Sequence, residues 1–529
     1  MVRTDLLIVG AGFAGLYLLH RARQLGFTAR VVEAAGDVGG TWYWNRYPGA
    51  RCDIESLEYS YQFDEALQQE WKWSERFATQ PEILRYLQHV AQRFDLRRDI
   101  DFGQRVLGAT FDEAGGRWSV LTDGAAAYSA QYLVLATGCL SSANMPVIEG
   151  CALFQGPIYH TGQWPHEPVD FSGQRVAVVG TGSSAIQTIP QIARQARELT
   201  VFQRTASYSV PAHNAPLDPA FEAEVKADYA GFRARNSAMI AGFGSRYPRN
   251  DASALAAGAT AVQAEFERRW AIGGLNFMGS FGDLMFDEAA NALAAEFVRG
   301  KIRGIVKNPL VANQLAPRQI IGCKRLCVDS GYYDTFNLPH VHLVDISDGG
   351  IEEISATGIH AAGRHYQADA IVFATGFDAM TGSVLKMDVR GKDGLSLRDK
   401  WRAGPMTYLG LGIHGFPNMF TVSGPGSPSV LTNMVVSIEQ HGRFITDCLQ
   451  WMRERGLQRV EAQEAAETAW VAHVNAVADS TVYPGCNSWY LGANVQGKTR
   501  VFMPLLGYPG YVEKCNAVQV AGFEGFSFV

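Results

Sequence analysis

Two short stretches hold the residue types best placed to do chemistry. One is Gly10-Ala11-Gly12-Phe13-Ala14-Gly15 and the other is Gly180-Thr181-Gly182-Ser183-Ser184-Ala185. In each, glycines follow a short apolar run and precede a helix-forming run. The backbone can then turn tightly and let a pyrophosphate approach the first N–H groups of the helix. The residue closing the next strand indicates which nucleotide is held. After the first turn it is Glu33, placed to accept from a ribose 2′-hydroxyl. A carboxylate repels a 2′-phosphate, so Gly10, Gly12, Gly15 and Glu33 suit FAD or NAD. After the second turn it is Arg204, followed by Thr205. A guanidinium fork suits a 2′-phosphate, so Gly180, Gly182, Ser183, Ser184, Arg204 and Thr205 suit NADPH. Two such sites in one chain point to hydride transfer from a nicotinamide to a flavin.

The destination of the electrons is narrowed by composition. The chain has 529 residues, 47% hydrophobic and 19% charged, with a formal net charge of −6. That describes an ordinary globular enzyme of two or three domains and argues against nucleic-acid binding. The eight cysteines form no CxxC pair and stand at no metal-ligand spacing, so no metal site is expected. They read as buried or free thiols of a reducing cytoplasm. Without a redox cysteine pair a disulfide reductase is excluded, which leaves oxygen or a small molecule as acceptor. Arg3 and the apolar run after it imitate a signal peptide, but Asp5 and the glycine turn break the pattern. The expectation is a cytoplasmic protein.

These residues need a scaffold, and its elements can be traced. Buried strands are expected at 5–10, 29–34, 132–138 and 199–204, each a short apolar run; the strand–glycine–helix pattern starts again over 175–185, and 370–378 echoes 132–138. A helix follows each glycine turn, and another over 83–94 has a capping box formed by Thr79 and Glu82. The fold class is therefore α/β, with two Rossmann-like dinucleotide-binding domains and a helical insertion. Residues 1–145 and 385–529 are assigned to the FAD domain, 150–210 and 320–384 to the NADP domain, and 211–319 to the insertion.

Between the two units runs a stretch that reads as a connector yet carries Phe154, Gly156, His160, Trp164 and Pro165. Five fixed residues in the pattern F-x-G-x-x-x-H-x-x-x-W-P, set between two dinucleotide fingerprints, resemble the signature of the type I Baeyer–Villiger monooxygenases. The segments "GGTWYWNRYPGARCDIES" (39–56), "GCKRLCVDSGYYDTFN" (322–337), "GPGSPSVLTNM" (424–434) and "NSWYLGANVQGK" (487–498) are similar to that family as well. The likeness fades in parts of 225–300 and in 504–515.

The resemblance implies roles residue by residue. Gly40, Thr41 and Trp42 would lie near FAD, and Lys324 would join Arg204 on the 2′-phosphate. Trp489 would donate its indole N–H to bound NADP. Arg325 would be the active-site arginine beside the flavin, with Asp53 as its carboxylate partner. A permanently charged guanidinium suits a reaction that passes through a C4a-peroxyflavin and a tetrahedral oxyanion. His160 reads either as a linker histidine that orders the two domains or as an ordinary hinge residue. The implied enzyme uses FAD, NADPH and O₂ to convert ketones to esters or lactones, with sulfoxidation as a side activity. The pocket segment 424–434 tilts the substrate towards aromatic or bulky ketones. The runner-up is an N- or S-oxygenating flavin monooxygenase, in which Arg325 would be dispensable. A flavoprotein that signals redox state to a protein partner is the reading from another class; no protein partner, nucleic acid or membrane is otherwise expected.

Overall fold

A computed structural model describes residues 1–124 and 126–529. Its larger sheet has eight strands. At the centre is β1 (Val2–Val9), whose Leu6, Leu7 and Ile8 are fully buried, as an all-apolar parallel strand requires. Two parallel neighbours flank it, β2 (Ala29–Val32) and β6 (Ala127–Leu135). The short β3 (Ile100–Asp101) extends the β2 side. Beside β6 lie β5 (Arg117–Thr122) and β4 (Val106–Asp112), both in antiparallel pairings. Two strands from far down the chain complete the sheet: Asp388–Arg390 pairs with β4, and Met419–Thr421 with β6.

The second sheet has five strands, all parallel. Its members are β7 (Ile158–His160), β8 (Arg175–Val179), β9 (Glu198–Gln203), β12 (Val341–Asp345) and the strand Ala370–Phe373. Between β9 and β12 in sequence, β10 (Ser209–Pro211) pairs in parallel with β11 (Cys327–Asp329) as a separate small sheet. The connector reading of residues 154–165 is thus corrected in part. Ile158, Tyr159 and His160 form the edge strand of the second sheet, in register with Ile371, Val372 and Phe373. No local pattern announces that strand, because its partner lies more than 200 residues away.

The capping box also fails. Thr79 stands at the N-cap of the helix Gln80–Arg93 but makes no side-chain cap bond. The carboxylate of Glu82 is taken by Ser74, accepting from its N–H at 2.9 Å and its hydroxyl at 2.8 Å. A folded-back loop outcompetes the local pairing.

Segment 211–319 is mostly helical, and its helices divide between two cores. Val225, Tyr229 and Phe232 join the apolar cluster of the larger sheet. Phe266, Phe297, Val298 and Ile302 join that of the smaller sheet. The segment has no apolar core of its own; it stitches the two halves together.

On one face of the larger sheet, the helix Phe13–Gln24 packs against the helix Met434–Glu454. The close approach rests on Gly442, where a Cβ would lie 2.6 Å from the Tyr17 ring. Gly442→Ala is expected to overpack this crossing, cost about 1–3 kcal/mol and lower the thermal midpoint. Scanning fluorimetry checks this, and an unchanged midpoint would mean that the Tyr17 ring yields freely.

Candidate active site

The first glycine turn separates what the fold needs from what a ligand needs. Gly10 has φ +108°, and a Cβ there would sit 2.6 Å from the Ala136 carbonyl oxygen. A Cβ on Gly15 would meet the Gly10 carbonyl oxygen at 1.8 Å. These two glycines are required by the chain itself. Gly12 is not: its φ is −82°, and its nearest neighbour would be Gly40 Cα at 3.4 Å, an ordinary contact. The fold leaves room at Gly12 that a close-approaching pyrophosphate would fill. The helix begins at Gly12 without a side-chain cap, so its first N–H groups stay open for an anion. Glu33 accepts from Ala11 N–H at 2.6 Å and Ala35 N–H at 2.7 Å, which aims the carboxylate along the turn. Burial raises its pKa, against the pull of those N–H groups. Gly40 faces Gly12, and Thr41 beside it is exposed. Trp42 is a core residue whose indole N–H donates to the Tyr59 hydroxyl at 3.3 Å.

The second turn repeats this logic. Gly180 has φ +117°, with a Cβ position 2.4 Å from the Ala374 carbonyl oxygen. Around Gly182 nothing lies within 4 Å, and the helix Ser183–Ala193 starts there without a side-chain cap. The hydroxyl of Thr181 donates to the Thr205 carbonyl at 2.8 Å, tying the turn to the end of β9. Ser184 shares a 3.0 Å bond with Thr161, and Ser183 lies 3.3 Å from the Cys327 sulfur. Arg204 is exposed just past β9, and the half-buried Lys324 lies within range of its charge. Burial lowers the Lys324 pKa first, and the Arg204 cation lowers it further. Two neighbouring cations are what a dianionic phosphate would relieve.

The bridging histidine has a defined tautomer. His160 Nδ1 accepts from Gly162 N–H at 2.9 Å, so its proton is on Nε2, which donates to the Thr375 hydroxyl at 3.2 Å. Thr375 in turn donates to the Asn144 carbonyl at 2.7 Å. Asn144 and Thr375 belong to the two crossovers between the sheets, which pair with each other as Asn144 N–H to Gly376 and Asp378 N–H to Ser142. Burial pushes the His160 pKa down, so the ring is held neutral at a domain junction. Trp164 stacks on Tyr159 with centroids 5.2 Å apart and takes the extended backbone that Pro165 demands of its predecessor. At Gly156 a Cβ would meet the Asp369 carbonyl oxygen at 2.2 Å and the Phe154 ring at 2.8 Å, so no other residue fits.

Arg325 and Asp53 meet as expected of a fork and a carboxylate. Nε donates to one Asp53 oxygen at 2.6 Å and Nη2 to the other at 2.9 Å. Nη1 donates to the Val430 carbonyl at 2.8 Å. Among the described residues, one proton on each terminal nitrogen is left without an acceptor. Burial alone would lower the arginine's pKa, but the Asp53 charge and hydrogen bonds outweigh it and hold the pKa above its ordinary value. The side chains are about a quarter exposed, 22% and 26%, so the pair faces open space rather than solid core.

The segment carrying Trp489 lies beside this corner, with Tyr490 near enough to feel the Arg325 and Asp53 charges. Tyr490 is buried, and the half-buried Trp489 indole N–H donates to no group among the described residues. Asn494 donates to the Phe377 carbonyl at 2.6 Å, and Lys498 pairs with Asp378 at 2.6 Å. Sequence reasoning missed these holdfasts, and it missed one more. Cys323 and Cys486 form a disulfide, with Cα atoms 5.5 Å apart. This corrects the expectation of eight unpaired thiols. The separation of 163 residues gave no spacing to read.

A family model described as pyridine nucleotide-disulphide oxidoreductase matches residues 7–238, a span that contains neither half of the disulfide. A Baeyer–Villiger monooxygenase of Pseudooceanicola batsensis is 42% identical over 98% of this chain and 95% of its own. A phenazine N-monooxygenase of Lysobacter antibioticus is 40% identical over 99% and 96%. Among solved structures, an oxidised steroid monooxygenase bound to NADP superposes with a TM-score of 0.95 at 49% identity, covering all of both chains.

Two outcomes follow from the geometry. Arg204→Ala should raise the KM for NADPH by one to two orders of magnitude, the effect of losing roughly 1.5–3 kcal/mol of a charge-assisted bond, and leave NADH nearly unaffected. Equal losses for both coenzymes would remove this arginine from the 2′-phosphate. His160→Ala should leave FAD bound but slow both flavin reduction and product formation about 10-fold, since small misplacements at a domain junction are costly in rate. Stopped-flow reduction and product assays read this, and wild-type values in both would make His160 an ordinary buried residue.

Proposed function

The chain belongs to the Baeyer–Villiger monooxygenase family, and from that premise we propose that it oxidises bulky, polycyclic or aromatic ketones to esters or lactones, with Arg325 stabilising the developing oxyanion. FAD and NADP are its cofactors. Overall, ketone, O₂, NADPH and one proton give ester, NADP⁺ and water. Reduced FAD, when bound, supplies the electrons that activate O₂.

The remaining work belongs to this chain. Gly10, Gly12, Gly15 and Glu33 hold the first nucleotide at a helix N-terminus. Gly180, Gly182, Ser183, Ser184 and Thr205 hold the second, with Arg204 and Lys324 selecting its 2′-phosphate. Trp489 offers its free indole N–H to the same coenzyme. The observation that carries the reading is the forked Arg325–Asp53 pair, with a free proton on each terminal nitrogen. Asp53 keeps the guanidinium charged and oriented. When a ketone carbonyl is attacked, its oxygen gains charge, and a fixed cation in a partly dry site stabilises that charge without giving up a proton. Val430 lies in the segment 424–434 and accepts from Arg325, so the loop assigned to the substrate also positions the arginine. The same segment and the steroid monooxygenase likeness support large ketones. Among the described residues no helix is long and apolar enough to cross a membrane, and the proposed substrates are small molecules.

The phenazine N-monooxygenase relationship favours a second reading, oxygen transfer to a ring nitrogen or sulfur. A soft nucleophile develops no carbonyl oxyanion, so it makes little use of Arg325. Arg325→Ala is therefore expected to lose about 10²–10³ in ketone oxidation. It should still consume NADPH slowly and release hydrogen peroxide. Asp53→Ala should show a milder form of the same defect. A panel of steroid, aromatic and cyclic ketones beside sulfides and N-heteroarenes, scored by product, decides between the readings. Wild-type ketone turnover in Arg325→Ala sinks the catalytic assignment. A wild type that oxidises heteroarenes but no ketone establishes the second reading.

A further inference from the structure

The disulfide sits where a covalent bond has the most leverage. Cys323 directly precedes Lys324 and Arg325, and Cys486 lies three residues before Trp489. The bond thus joins the arginine turn to the loop that closes the site. Without it the loop is held by buried side chains such as Tyr483 and Tyr490 and by hydrogen bonds, all of which can part and re-form. It contains no strand, only the short turns Tyr483–Gly485 and Trp489–Leu491. Its polar anchors after Trp489 are Asn494 on the Phe377 carbonyl and under the Asn144 amide, Lys498 on Asp378 and the Ala379 carbonyl, and Thr499 on the Arg402 carbonyl, while Gln496, Gly497 and Arg500 are exposed. Both cysteines are buried when joined, but Cys486 is flanked by exposed Pro484, Gly485 and Asn487, so opening the loop uncovers it.

We infer that Cys323 and Cys486 form a redox-modification site, closed by hydrogen peroxide and opened by a dithiol, that sets how tightly the loop seals the active site. Closing is balanced as follows. One thiol sulfur attacks a peroxide oxygen, the O–O bond breaks, and a sulfenic acid and water form. The second thiol displaces the hydroxyl, giving the S–S bond and a second water. Each sulfur loses one electron and each peroxide oxygen gains one. A dithiol reverses this by exchange, becoming oxidised itself. The oxidant has a source in the enzyme, since NADPH, O₂ and a proton give NADP⁺ and hydrogen peroxide whenever no substrate is oxygenated. That part of the inference rests on the monooxygenase reading. The device is then self-correcting. A loose loop leaks peroxide, peroxide closes the bond, and the closed bond suppresses the leak. The other six thiols differ in access. Cys52, Cys139, Cys327, Cys448 and Cys515 are buried and burial pushes each thiol's pKa up, while the half-buried Cys151 is the accessible competitor that peptide mapping must separate from the pair.

The test uses full-length holoenzyme, first without mutation. Thiols are titrated in denaturant after dithiothreitol treatment and desalting, and again after one equivalent of hydrogen peroxide. The count should fall from eight to six, with peptide mapping placing the bond at Cys323–Cys486. This arm needs no ketone, so it stands apart from the substrate assignment. The two forms are then compared for NADP⁺ release and for peroxide formed per NADPH. The reduced form should release NADP⁺ about 5-fold faster and leak more peroxide, and peroxide treatment should restore the oxidised values. Cys323→Ser and Cys486→Ser should each behave as the reduced form and ignore dithiothreitol. A count that stays at eight, a bond between other cysteines, or equal release and leakage in the two forms overturns the proposal. So does a dithiothreitol effect that survives in both variants.

Discussion

The contact between Arg325 and Asp53 is the constraint around which the molecule is arranged. Asp53 lies on the segment that follows the first glycine-turn unit, and Arg325 lies at the entry to β11, 272 residues away. Bringing them within 2.6 Å fixes the distance between the two dinucleotide units. Such a pair is a poor source of stability, because removing two charges from water offsets most of their attraction. It makes sense as a positioning device. The guanidinium must remain charged and point one way, and the fork geometry with two oxygens achieves both.

Other interdomain contacts serve the same spacing. Gln187, on the second dinucleotide helix, accepts from the Tyr47 hydroxyl at 2.9 Å and donates to the Arg51 carbonyl at 3.1 Å. Gly49 lets that helix approach, since a Cβ there would lie 2.4 Å from the Gln187 carbonyl oxygen. The stretch holding Asp53 is thus clamped to the NADP-side helix a few residues upstream. The two crossovers pair through residues 142–144 and 376–378, and His160 fastens them through Thr375. A neutral, fully bonded imidazole fits a structural fastening better than proton transfer. Its one acceptor nitrogen is occupied by Gly162, and its one proton by Thr375.

What the sequence made legible was local or chemically constrained. The glycine turns, Glu33 and Arg204 could be read because turn, strand and helix follow one another within a few dozen residues. The meeting of Arg325 with Asp53 came from family resemblance; no local rule places them together. Contacts that close long loops escaped altogether: β7 with Ile371–Phe373, Lys498 with Asp378, and Cys323 with Cys486. The Thr79–Glu82 box failed for a related reason. A local motif offers one satisfactory set of hydrogen bonds, and the tertiary fold supplied Ser74 as a better partner for Glu82.

The loop over the site carries the last step of this logic. Oxygen chemistry on a reduced flavin needs water kept out, yet substrate and product must pass, so the cover cannot be part of a rigid core. The loop satisfies both demands through a mixture of holds. Tyr490 and Tyr483 are buried anchors, with ring centroids 5.7 Å apart. Asn494 and Lys498 are polar contacts that can part and re-form. A disulfide is of a third kind, since it does not exchange on the timescale of turnover and responds only to redox chemistry. Its place beside Lys324 and Arg325 means that any slack in this segment is also slack in the turn that carries those two cations. The fold has therefore coupled the segment around Cys486 to the turn that sets the Arg325–Asp53 geometry.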